Sequence, residues 1–285
     1  MKPFLAIDLT FDKKNEQYNG DEFLVSTPSQ ALTDSFNNAS GQILEAFEKS
    51  KLPLIARIIQ WVCGIAGFVI FGATIRALSE EDSITIEQAY KNAPWLFWIC
   101  GVCLIIWAIL MFFSYKKQKT VLESDESTNT FQAHDDICES IFAELKVPTD
   151  AKCADILSFR YKVKNDKIKV SEKDIAPYTS FPFRIFADSD NLYLANADGK
   201  YAFPLSAIKS IKTEKKTVIA DSWNKDEDFN KGIYKQYKIS EDKYGNIMFK
   251  KYHIIEVDYS GEIWGIYIPC YELPIFEELT KLKAE

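Results

Sequence analysis

A chain of 285 residues has room for one or two domains, and 47% hydrophobic with 26% charged residues is the composition of a folded protein. With 34 Lys and Arg against 41 Asp and Glu, a net charge of −7 and a pI near 5.1, the chain lacks the electrostatic footprint of a general nucleic-acid binder. Six scattered cysteines, half of them in apolar segments, do not make a disulfide framework, and His134 and His253 alone cannot build a His-based metal site or a catalytic triad, so no cofactor is expected.

The charge is uneven: residues 1–149 carry 12 Lys and Arg against 19 Asp and Glu, whereas residues 150–285 carry 22 of each. The opening MKPFLAIDL is too short and too polar for a secretory apolar region. Its apolar residues, Phe4 excepted, alternate, and a polar turn at Asn19-Gly20 follows, which reads as strand, turn, strand. From Ser29 the period changes. Leu32, Phe36, Ile43, Leu44 and Phe47 fall on one helical face, and the polar face, with Asp34, Glu45 and Glu48, is too acidic for an anionic leaflet. Residues 1–53 are therefore expected to be a cytoplasmic segment with one amphipathic helix, closed by Pro53.

Two long apolar runs follow. Between Arg57 and Arg76 stand eighteen residues whose only strongly polar member is Gln60, which predicts a first transmembrane helix over 54–77. Gly64, Gly67 and Gly72 give it a strip of small residues on which another helix can pack closely. The stretch 95–115, WLFWICGVCLIIWAILMFFSY, rises about 31 Å as a helix, the thickness of a bilayer's hydrocarbon core, and predicts a second span. Residues 78–94 form the short acidic loop between them. Six bases beside the outer ends of the pair (Lys49, Lys51, Arg57, Lys116, Lys117, Lys119) against two beside the loop (Arg76, Lys91) put both termini in the cytoplasm, which makes a multi-pass protein of the cytoplasmic membrane with the loop outside.

Residues 116–134 read as a polar tether with little to bury, and 135–285 as a cytoplasmic domain. After a short helix ending near Pro148, the period becomes two. Strands are predicted over 156–163, 167–170, 183–187, 192–195, 200–203, 208–219, 234–239, 247–259 and 262–268, with tight turns at Asn196-Ala-Asp-Gly199 and Ser260-Gly261, and a capping helix over 272–283. The fold class is thus an α+β membrane protein: a two-helix transmembrane hairpin and an antiparallel β domain with a C-terminal capping helix.

About seven consecutive strands followed by one amphipathic helix look like the pleckstrin-homology-like (PH-like) fold. The stretch Asp190-Asn-Leu-Tyr-Leu, with Tyr201-Ala-Phe-Pro-Leu-Ser-Ala-Ile-Lys-Ser-Ile211, resembles the bacterial PH-like domains that follow two membrane helices in many small membrane proteins. The resemblance spans about 156–283 and its motif is hydrophobic rather than chemical. It implies a binding module more than a reaction. In PH domains that bind phosphoinositides, bases on the first hairpin grip the head group. The corresponding bases here are Arg160, Lys162, Lys164, Lys167 and Lys169, five against one Asp166.

Two other constellations carry less. Cys100-Gly-Val-Cys103 resembles the thiol pair of quinone-linked oxidoreductases, because thiols at i and i+3 share a helix face. Those enzymes need further helices and a second thiol pair, and cysteine is also a good small packing residue in a membrane helix. Asp226-Glu-Asp-Phe-Asn-Lys-Gly232 alternates oxygen donors but lacks the glycine and glutamate positions of an EF-hand, so no metal is expected. The sequence thus points to a membrane-anchored binding or scaffold module, not an enzyme, whose partners are the bilayer and either anionic lipid head groups or a protein. The alternative is a thiol-disulfide oxidoreductase using Cys100 and Cys103.

Overall fold

The computed structural model describes residues 1–8, 17–18, 20–79, 90–91, 93–164, 167–177, 183–220, 235–241 and 247–285, with the backbone alone at 6–8, 17–18, 77–79, 159–164, 167–177, 219–220, 241 and 247. The protein is α+β. In chain order come β1 (Lys2–Pro3), β2 (Ala6–Asp8), β3 (Gln17–Tyr18) and β4 (Leu24–Ser26), then α1 (Gln30–Ser50), α2 (Leu54–Ser79), α3 (Pro94–Leu122) and α4 (Asp125–Glu144). They are followed by β5 (Lys152–Ala154), β6 (Leu157–Lys164), β7 (Lys167–Pro177), β8 (Phe183–Ala187), β9 (Asn191–Asn196), β10 (Gly199–Pro204), β11 (Ile208–Glu214), β12 (Val218–Ala220), β13 (Ser240–Glu241), β14 (Ile247–Phe249), β15 (Tyr252–Tyr259), β16 (Glu262–Pro269) and α5 (Leu273–Thr280). The chain divides into two compact units: Met1–Thr33 with Cys138–Glu285, and Asp34–Ile137.

The first unit is built around two sheets that share its core, ordered β4-β10-β9-β8-β5 and β1-β16-β15-β11 and here called the larger sheets, with a second four-stranded sheet, β3-β2-β6-β7, and a three-stranded one, β12-β14-β13. Pairing is antiparallel except where the N-terminus enters: β1 runs parallel to β16 and β2 parallel to β6. Alternation in β10 buries Gly199, Tyr201 and Phe203 and leaves the residues between them half-exposed, as a strand with one covered face must. Side chains from both larger sheets meet in one core with Phe276 of α5. The C-terminal residues extend one edge, Glu285 N–H donating to the Ile211 carbonyl at 2.9 Å.

The N-terminal residues are part of this core. Phe4 and Phe23 are 0% and 1% exposed. Phe4 meets Tyr201 and Phe203 edge-on at 5.1 and 5.0 Å, and Phe23 stacks on Phe203 at 4.4 Å and meets Trp264 edge-on at 5.3 Å. The division at residue 53 drawn from the sequence therefore separates strands from the sheets they complete.

In the second unit α2 and α3 pack as a helical hairpin, and both are long and apolar enough to cross a membrane. The stretch expected as a polar tether, 116–134, is helical on both sides of one break. Helix α3 continues to Leu122, and Ser124 caps α4: its Oγ accepts from Ser127 N–H at 3.3 Å, and Asp125 and Glu126 occupy the first turn. Helix α4 also has something to bury, since Phe131 and His134 lie against Phe47 and Phe36 of α1 at 6.2 and 5.3 Å.

Candidate functional site

The seam of the helical hairpin is set by two of the three glycines singled out from the sequence. A Cβ on Gly64 would sit 2.8 Å from Trp107, and one on Gly67 2.7 Å from Leu104, so the helices approach only because both positions lack a side chain. Gly72 does not belong to the seam, for nothing lies within 4 Å of where its Cβ would be. It stands five residues, about 140° around the helix, from Gly67. Gln60 donates to the Met111 sulfur at 2.7 Å, and beside this contact a groove of about 570 Å³ runs along Gly64, Phe68 and Trp107.

The two thiols of the Cys-x-x-Cys stretch do different things. Cys100 is buried and donates to the Gly67 carbonyl at 3.4 Å, whereas Cys103 neighbours Cys63 of α2. All six cysteines are free. Cys100 thus behaves as a packing residue at the closest approach of the helices.

The basic hairpin is formed by β6 and β7. Its register pairs Lys162 with Lys169 and Lys164 with Lys167, while Arg160 pairs with Ser171. The side chains of these five bases, and the whole of the 226–232 loop, lie outside the described residues.

A half-buried titratable cluster was not legible in the sequence. It joins the residue after β5 to the start of α5. Tyr271 donates its hydroxyl to Asp155 Oδ2 at 2.8 Å, and the Asp155 backbone N–H donates to Glu272 Oε1 at 3.0 Å. Burial pushes the Glu272 carboxyl up to about 8, against the Asp155 N–H bond that favours its charged form, and the Asp155 charge adds to the rise. Burial raises Asp155 as well, opposed by the Tyr271 hydroxyl. Tyr271 is held well above the usual phenol range by burial and the carboxylate beside it. Cys270, fully enclosed, is pushed up by burial, so the helix N-terminus does not activate it. Asp155 stands more than a hundred positions before the adjacent Tyr271 and Glu272, and neither Asp155 nor Glu272 has a periodic or spaced partner that would mark it.

His253 in β15 is 1% exposed and shares a hydrogen bond between Nδ1 and Thr213 Oγ1 at 3.1 Å. Its Nε2 has no partner among the described residues. Burial, with Lys251 nearby and against the opposing pull of Glu277, lowers it to about 4, so the ring is neutral at pH 7. Among the described residues no group of three or more His, Cys, Asp or Glu is placed to hold a metal ion.

Comparison of the chain with protein-family models, with curated proteins and with solved structures returns no match.

Proposed function

We propose that the chain is an integral protein of the cytoplasmic membrane, anchored by α2 and α3 as a transmembrane hairpin, whose α+β unit is a cytoplasmic binding module. The observation that carries this reading is topological. Strands before the hairpin pair with strands after it: β1 with β16, β2 with β6, β4 with β10. One folded unit cannot lie on both sides of a bilayer, so the number of crossings between its two parts must be even, and α2 and α3 are two. A further support is exposure. Only 11% and 6% of the most apolar windows of α2 and α3 are buried inside the protein, where the core helix of a soluble protein would be mostly buried. The excess of bases at the outer ends of the hairpin supports a cytoplasmic location for that unit.

The unit's two core sheets and closing helix support a PH-like reading, with four N-terminal strands added to it. Its proposed binding surface is the β6–β7 hairpin with Arg160, Lys162, Lys164, Lys167 and Lys169, for anionic head groups or a protein partner. Like charges facing each other across a ladder are unfavourable, and an anionic partner relieves them. The rival, a thiol oxidoreductase, has less support, because Cys100 and Cys103 have different neighbours.

Single reporter tags before Lys2, after Glu285 and within the 80–89 loop of the full chain test the topology. In sealed vesicles both terminal tags are expected on the cytoplasmic side and the loop tag on the other. Termini on opposite sides, or all three tags on one side of a protein extractable with carbonate, would contradict the reading.

A further inference from the structure

Some lysines of the α+β unit have acidic partners: Lys2 pairs with Glu262, Lys152 with Glu278, Lys212 with Glu256 and Lys283 with Glu277. Lys215, Lys238, Lys250 and Lys251 are exposed and make no ion pair among the described residues; other exposed lysines, such as Lys146, Lys235 and Lys281, share that property, but these four converge. All four line one cleft of about 460 Å³, together with Gln236 and Tyr237.

The four lie where strands stop. Lys215 follows the last residue of β11, the Lys250-Lys251 doublet is the break between β14 and β15, and Lys238 stands two residues before β13. The last pair of the β11–β15 ladder, Glu214 with Tyr252, brings the first two of these places together. Both strands that the sequence pattern predicts as continuous, 208–219 and 247–259, are interrupted at these lysines. Lys238 closes a single helical turn with φ at 54°, a left-handed conformation unusual for a residue with a side chain.

We infer that this cleft is an anion-binding site for a small molecule or head group carrying two or more phosphoryl groups. The charged residues among the described lining are all lysines; such a surface concentrates counter-ions, and an anion bound there relieves the repulsion among them. The cleft volume is that of a small-ligand site. Among the described lining residues there is no arginine fork, so the chemistry is that of point charges and rotatable ammonium donors, which suits phosphoryl oxygens better than the planar recognition of a single carboxylate. The half-buried Tyr237 adds a flat apolar wall and Gln236 an amide. The inference does not depend on membrane insertion.

The test uses the full chain purified in detergent and titrated with tripolyphosphate by calorimetry, at two salt concentrations. Saturable binding of one equivalent, weakened by salt, is expected. Lys238→Gly, which relaxes the backbone, and the pair Lys250→Ala with Lys251→Ala should each weaken binding by about tenfold or more, with unfolding temperatures in the absence of ligand no lower than the wild type's. Lys209→Ala, which removes an exposed lysine that does not line the cleft, should leave binding unchanged. A short-chain inositol lipid with two ring phosphates, compared with its free head group, separates the sources: tighter lipid binding assigns the site to a membrane ligand, and equal binding to a soluble one. No binding of tripolyphosphate or the head group, or equal binding by the wild type and both cleft variants, overturns the inference.

Discussion

Single residues in this protein hold backbone and charge states that their chemistry disfavours, and each gives a measurable consequence. Lys146 ends α4 in the left-handed region, φ 55°, in a Schellman arrangement: Val147 N–H donates to the Phe142 carbonyl at 2.9 Å and Lys146 N–H to the Ala143 carbonyl at 3.1 Å. Glycine is the residue this position favours, and Lys146 also repels the half-buried Lys200, so Lys146→Gly is expected to stabilise the protein by about 1 kcal/mol, read as a higher unfolding temperature. Two titrating groups, the buried His253 and the half-buried Glu272, set the pH dependence. His253 stays neutral when folded down to about 4, while an unfolded histidine takes a proton below about 6.5; its contribution is complete above 6.5 and is lost as pH falls from 6.5 through 4. Glu272 keeps its proton when folded up to about 8, while the unfolded carboxyl loses it near 4.5; its contribution is complete below 4.5 and is lost as pH rises through 8. Between 4.5 and 6.5 the two slopes oppose each other; above 6.5 the histidine's has ended and that of Glu272 continues. Stability is therefore expected to fall by about 2 kcal/mol between pH 6.5 and 8, and Glu272→Gln should flatten that fall. A denaturant midpoint that is level over this interval in the wild type would show the carboxyl to be ionised in the fold.

At the scale of elements, the hairpin seam and the N-terminal strands make opposite demands. Adding bulk at Gly67, as in Gly67→Val, drives a side chain into Leu104 and is expected to cost about 1–3 kcal/mol, while Gly72→Val should be neutral; thermal unfolding in detergent distinguishes them. Gly199 meets the same limit in the sheet, because a Cβ there would lie 2.6 Å from Leu24 and 2.9 Å from the Ser26 carbonyl of β4. How much of this was legible in the sequence depends on the distance over which each element is decided. The apolar runs are local, and α2 and α3 start within one residue of their predicted positions. Hairpins β8–β9–β10 and β15–β16 carry their own alternation and turns: Asp198 and Gly199 N–H groups donate to Asn196 Oδ1, and Ser260-Gly261 supplies two positive φ angles. Strand β1 has two residues and its partner is more than 250 positions away, so no local pattern reveals it. For α4 the signal was present, in the Ser124 cap and the acidic first turn, but polar composition outweighed it.

At the scale of the molecule, the hairpin of two long apolar helices is inserted in sequence between parts of one α+β unit. The core that Phe4, Leu5 and Phe23 complete cannot close without the first 33 residues, so a fragment beginning at residue 135 is expected to unfold at far lower denaturant than the full chain. Phe4→Ala in the full chain should cost about 3–5 kcal/mol by removing a fully buried ring. Adding the 1–33 peptide to the fragment should restore part of its stability. A fragment as stable alone as with the peptide would show the N-terminal strands to be ornamental.

The candidate sites follow from the same arrangement. The lysine cleft could not be seen as a motif, because its members come from three separate places in the chain and meet only in the fold. The half-buried Asp155, Tyr271 and Glu272 likewise meet only when the end of β16 returns to the end of β5. One measurement bears most directly on the claim that strands on either side of the two apolar helices form one unit on one side of a membrane. Ser26 and Lys200 are paired across β4 and β10, within the separation a disulfide spans. With Ser26→Cys and Lys200→Cys in the full chain, mild oxidation of native membranes should give a reducible intramolecular cross-link in the carbonate-resistant fraction, absent from each single variant. Failure to cross-link in protein that remains in that fraction would contradict the account.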